Sequence, residues 1–146
     1  MVPVFNNEGV LPEGVYEMSF TEFEERFVFN TRRKEIYAAF LILVKDLKAI
    51  NCRAVYVDGS YVTAKELPKD IDVCWEDDEE IDWKLLDTKY PIFFDLDPPR
   101  KAQQLRYRAD VFPANIYEGN SGKLFKDFFQ QNKETGNLKG ITKINI

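Results

Sequence analysis

The chain has 146 residues and a net charge of −5, and 45% of it is hydrophobic, with twelve Phe and seven Tyr. That is enough for one domain with a real core, too little for two of ordinary size, and too apolar for a disordered chain. The absence of histidine excludes Ser-His-Asp and Cys-His nucleophiles, histidine-ligated zinc and histidine-based RNA cleavage, and the acidic balance disfavours a general nucleic-acid binder while leaving room for a short RNA on a local patch.

The N-terminus MVPVFNNEGV lacks the basic and apolar regions of a signal peptide. No apolar run approaches the roughly 18 residues that span a bilayer. The expected location is therefore the cytoplasm, with no membrane partner. LPEG at 11–14 reads as a turn, and Ser19 or Thr21 as a helix N-cap with Glu22 or Glu24 as its capping-box partner, ahead of a short helix through Phe23 and Phe27. From 31 to 50, Ile36, Phe40, Leu43, Leu47 and Ile50 fall at steps of three and four, which predicts a helix with one apolar face. Arg32-Arg33-Lys34 reads as its solvated first turn.

Residues 53–58 (RAVYVD) and 70–75 (DIDVCW) read as strands. Cys52 and Cys74 lie in or beside them without metal-ligand spacing, so reduced, buried thiols are expected. Residues 66–97 carry twelve acids against three lysines, and EDDEE at 76–80 reads as a solvated loop within that stretch. A short amphipathic piece at 81–86 follows, then a strand at 92–95 (IFFD) stopped by Pro98-Pro99, and a further strand at 105–112. Ser121 is read as the cap of a last helix on which Leu124, Phe125, Phe128 and Phe129 share a face, and 140–146 as a final strand.

The chemistry concentrates in residues 55–75, VYVDGSYVTAKELPKDIDVCW. Gly59 permits close backbone approach to a phosphate, and the Ser60 hydroxyl with the amides that follow can donate to its oxygens. After nine intervening residues comes Asp-Ile-Asp-Val, in which Asp70 and Asp72 project from one strand face while Ile71 and Val73 point into the core. Two carboxylates on a rigid strand suit Mg²⁺ or Mn²⁺, which takes one or two protein carboxylates plus substrate phosphates. Phosphoryl-transfer chemistry follows and needs no histidine. Lys65, between the two halves, is a weaker candidate for a triphosphate contact. GNSGK at 119–123 has two residues rather than four between its glycines and no hydroxyl after the lysine, and DLD at 95–97 lacks the other ligands of a calcium loop.

Gly-Ser, a nine-residue gap and Asp-hydrophobic-Asp-hydrophobic resemble the signature of the polymerase-β-like nucleotidyltransferase superfamily. Over its whole length the chain also resembles a small domain-of-unknown-function family, through EFEERF at 22–27, residues 55–75, RADVFPA at 108–114 and FFQQNKETGNLKGI at 128–141. The superfamily resemblance implies an α/β (α+β) nucleotidyltransferase fold over 1–146, a mixed sheet with flanking helices, Mg²⁺ or Mn²⁺, and a nucleoside triphosphate such as ATP. It also implies a third carboxylate from a later strand, for which Asp95, Asp97 and Asp110 are candidates. Alternation along 105–112 puts Arg106, Arg108, Asp110 and Phe112 on one face, and Asp95 and Asp97 run into the prolines, so Asp110 is chosen, with Arg108 as a phosphate partner. The expected activity is metal-dependent transfer of a nucleotide to a protein, RNA or small-molecule acceptor. The chain has no room for a large acceptor-binding domain, so a partner protein is expected to supply the acceptor, as in toxin–antitoxin or defence modules. The alternative is a catalytically inactive nucleotide-sensing or partner-binding module on the same fold.

Overall fold

Short β-branched and aromatic runs between turn residues become five strands: β1 (Val15–Glu17), β2 (Ala54–Asp58), β3 (Ile71–Trp75), β4 (Ala109–Pro113) and β5 (Ile141–Asn145). In the computed structural model, which describes residues 3–146, they form one mixed sheet in the order β1-β5-β2-β3-β4. β2 runs antiparallel to both its neighbours, while β1 is parallel to β5 and β3 to β4. All five residues of β2 are buried, which suits its place at the centre. Successive residues point to opposite faces, so Val55, Val57, Val73 and Val111 enter the larger core, and Tyr56, Cys74 and Phe112 a smaller one. Both cysteines are buried and free.

The larger core is covered by α1 (Phe20–Phe27), α2 (Thr31–Ala49), α3 (Trp83–Lys89) and α4 (Lys101–Tyr107). Of the two N-cap choices, α1 uses Ser19, which exchanges reciprocal hydrogen bonds with Glu22 in a capping box. Its buried Phe23 stacks on Tyr61 with ring centroids 5.9 Å apart. The apolar face of α2 is as the spacing predicts, with Ile36, Phe40, Leu43, Leu47 and the capping Ile50 all fully buried. Among the described residues, no helix is long and apolar enough to cross a membrane.

Five readings of local pattern are corrected. Residues 92–95 are not a strand; Pro91–Phe94 forms a 3-10 turn, because Phe93 packs against Trp75, Tyr90 and Tyr107 and a short apolar run carries no period of its own. The strand expected at 105–112 is helix α4 up to Tyr107 and strand only from Ala109. Arg108 separates them in the left-handed region at φ 49°, so the alternation cannot run through it. α5 (Phe125–Phe128) is a single turn entered from Leu124, and Ser121 Oγ instead accepts from Lys123 N at 3.1 Å within the preceding loop. The Arg32-Arg33-Lys34 turn is not wholly solvated, because Arg33 is fully buried. The loop at 76–80 is exposed only at Glu79 and Glu80; Glu76 accepts from Tyr56 Oη at 2.9 Å, and Asp77 from Asn115 N at 2.7 Å. Strand β1, which has only three residues and two of them exposed, leaves no periodic trace.

Candidate functional site

Sheet register assembles an acidic row. Asp58 at the end of β2 pairs with Asp72 on β3, and Asp72 with Asp110 on β4, so all three lie on the face of the smaller core. Asp70 stands one residue before β3, two from Asp72 and on the same side. Carboxylate oxygens of Asp70, Asp72 and Asp110 lie within 4.8 Å of one another. Asp95 and Asp97 are outside this group.

The arrangement leaves negative charge poorly compensated. Burial pushes the Asp72 carboxyl up to about 7, with Asp70 and Asp110 adding to the effect. Asp70 is also raised, first by burial, although a hydrogen bond from Gln104 opposes this. Asp58, behind them, is fully buried and held well above the carboxylate range by burial and by Asp72. Its Oδ2 accepts from Cys74 Sγ at 3.7 Å, and its Oδ1 has no hydrogen-bond partner among the described residues. Three oxygen ligands at this spacing, with charge that burial penalises, fit a hard divalent cation.

Helix α4, absent from the sequence reading, supplies the polar support. Gln104 Nε2 donates to Asp70 Oδ2 at 3.0 Å and to Asp110 Oδ1 at 2.8 Å, fixing the two carboxylates relative to each other. Arg100 Nε lies 3.0 Å from Asp110 Oδ1, and the guanidinium sits over the Phe112 ring, 5.0 Å from its centroid. Arg108 does not join them: its Nη1 is 3.5 Å from Glu35 on α2, because the left-handed residue turns its side chain away from the Asp110 face.

Gly59 opens a 3-10 turn, Gly59–Val62, directly after β2. Its φ is +75°, and a Cβ there would overlap the Asp72 carboxylate, with Cγ only 2.8 Å away. The glycine is therefore required by its acidic neighbour as well as by backbone conformation. The following loop is held by buried Arg33, which donates to the carbonyls of Phe27, Tyr61, Thr63 and Lys65. In return, Tyr61 Oη donates to Arg33 O at 2.8 Å. No periodicity signals this role.

Gly59, Ser60, Lys65 and Asp72 line a cavity of 510 Å³. The N-terminal turn adds Glu8 to its wall, and the C-terminal segment adds Phe128, Lys133 and Lys139. Lys139 is half-buried, and burial lowers its pKa against the pull of Asp58 and Asp72. Sequence reasoning missed both lysines, although the +3 charge of residues 121–146, five lysines against two acids, is a signal pointing to them. A family model matches residues 3–145. The chain belongs to DUF6932, a family of unknown function. No curated protein and no solved structure matches it. The family match covers the acidic row, the Gly59 turn and the lysine-bearing segment of this DUF6932 chain alike.

Proposed function

We propose that the protein is a metal-dependent nucleotidyltransferase that moves a nucleotide from a nucleoside triphosphate to a hydroxyl or phosphate acceptor. The observation that supports this best is the convergence of Asp70, Asp72 and Asp110 within 4.8 Å beside a cavity that Gly59, Ser60 and Lys65 share with Asp72. The three carboxylates would hold Mg²⁺ or Mn²⁺, which when bound supplies electrostatic stabilisation of the transferring phosphoryl group and its leaving pyrophosphate. Ser60 and the amides of its turn would bind phosphate oxygens, and Lys65 would add a cation at the cavity edge. For a hydroxyl acceptor, oxygen attacks the α-phosphorus, the bond to the bridging oxygen breaks, pyrophosphate leaves, and the acceptor proton passes to a carboxylate of the cluster. Phe128 offers an apolar surface for the base. A partner protein would bring the acceptor, as in a toxin–antitoxin or defence pair.

A second reading, a nucleotide-sensing module without turnover, is favoured by the Arg100 guanidinium already placed on Asp110. One experiment separates the two. Thermal unfolding is followed with ATP, CTP, GTP and UTP, each with Mg²⁺ or Mn²⁺, and pyrophosphate release is measured in parallel. Transfer predicts a raised Tm and release that Asp70→Asn or Asp72→Asn abolishes. A raised Tm without release supports sensing, and an unchanged Tm with every nucleotide defeats both.

A further inference from the structure

The C-terminal wall of the cavity is a hairpin. Lys139 N donates to Gln130 O, Asn132 N to Asn137 O, and Gly136 N to Asn132 O, each at 2.8 Å. Lys133 sits in the turn of this hairpin and Lys139 on its returning arm, and both line the cavity that Ser60 lines. Neither forms a salt bridge among the described residues. A half-buried ammonium without a salt-bridge partner, facing a polar cavity, is matched by an anionic ligand.

Glu8 anchors the hairpin. Its Oε1 accepts from Thr135 Oγ1 at 2.9 Å and Asn132 Nδ2 at 3.2 Å, and its Oε2 from Asn137 Nδ2 at 3.2 Å. The same N-terminal turn is joined to the loop after Ser60, since Ala64 N donates to Gly9 O at 2.8 Å. One turn thus ties the hairpin and the loop after Ser60, two walls of the cavity, to each other. The lining acids Glu8, Asp72 and Glu134 formally equal the lysines Lys65, Lys133 and Lys139 in number, but the carboxylate oxygens of Glu8 are engaged by the hairpin and Asp72 belongs to the carboxylate cluster.

We propose that the 130–139 hairpin is a polyphosphate-binding element, in which Lys139 and Lys133 take phosphate oxygens and Glu8 is a positioning residue that sets their distance from the Gly59 turn. The inference deepens the nucleotide reading and rests on it for the triphosphate as ligand, yet it is testable without metal or turnover.

Calorimetric titration of inorganic tripolyphosphate in EDTA into Asp72→Asn protein removes the metal and one opposing charge together. Binding is expected, weakened about tenfold or more by adding Lys139→Ala, the loss of a charge-assisted hydrogen bond, and less by adding Lys133→Ala. Glu8 gives a sign test. If it acted only through charge, Glu8→Ala and Glu8→Gln would both tighten binding. Positioning predicts that Glu8→Ala weakens it and Glu8→Gln, which keeps an acceptor for Asn132 and Thr135, does not. Each variant is checked for cooperative unfolding. No binding by the Asp72→Asn protein, or unchanged binding in both lysine variants, overturns the proposal. So does binding of ATP but not tripolyphosphate, which would place the base rather than the phosphates at the hairpin. Lys139-dependent tripolyphosphate binding in a protein whose wild type transfers no nucleotide upholds the hairpin assignment and rejects only the transfer reading.

Discussion

Asp72 is the residue at which stability and the proposed chemistry oppose each other. Its carboxyl is raised by burial and by two acidic neighbours, so its charge destabilises the metal-free chain. Asp72→Asn, which keeps shape and removes charge, is expected to stabilise the protein in EDTA at pH 8 by about 1–3 kcal/mol, as measured by urea denaturation. The same variant should lose the Tm increase that Mn²⁺ gives wild type. Gly59 is coupled to this residue by contact. Gly59→Ala should cost about 1–3 kcal/mol, from positive φ and from overlap with the carboxylate. In a double-mutant cycle with Asp72→Ala the overlap part should vanish and the φ part remain; full additivity would show that the two do not touch.

At the scale of elements, two buried polar side chains do what backbone pairing leaves undone. Arg33 on α2 ties four carbonyls, three of them in the loop between Ser60 and Asp70. Arg33→Met fills similar space and leaves those carbonyls unpaired, so a loss of about 3–5 kcal/mol is expected from chemical denaturation. Gln103 on α4 acts at the sheet edge: its Nε2 donates to Val111 O at 3.1 Å and its Oε1 accepts from Val111 N at 2.8 Å, imitating a neighbouring strand. Gln103→Leu should cost about 1–3 kcal/mol and should speed hydrogen exchange at the Val111 amide, with little change at β2.

For the whole molecule, the acidic row sets a pH dependence whose sign follows from its raised carboxyls. Between pH 3.8 and about 7, folded Asp72 retains a proton that the unfolded chain has released, so the folded state binds more protons and stability falls as pH rises through that window. Asp58 and Asp70 are shifted in the same direction. The Tm in EDTA is therefore expected to drop from pH 5 to pH 8, with a smaller drop in Asp72→Asn. Mn²⁺ competes with those protons, so its stabilisation should grow over the same range. A Tm increase from Mn²⁺ that is equally large at pH 5 and pH 8 would show that it binds elsewhere.

Where spacing alone carries physical information, the amino-acid sequence determined the outcome: the apolar face of α2, the Ser19–Glu22 capping box, and β2 and β3 with the Gly59-Ser60 turn between them. Asp70 and Asp72 were legible as a pair because strand alternation needs only a two-residue separation. Asp110 was reached through a strand that proved to be half helix, and its place rests on the parallel register of β3 and β4, which no local pattern encodes. Arg108 was misplaced for the same reason, since one left-handed residue resets the alternation. Arg33, Gln103, Gln104, Lys139 and Glu8 act through partners six to 129 residues away or through a cavity wall that the chain completes only near its end. Such contacts depend on how distant segments pack, and only the tertiary structure decided them.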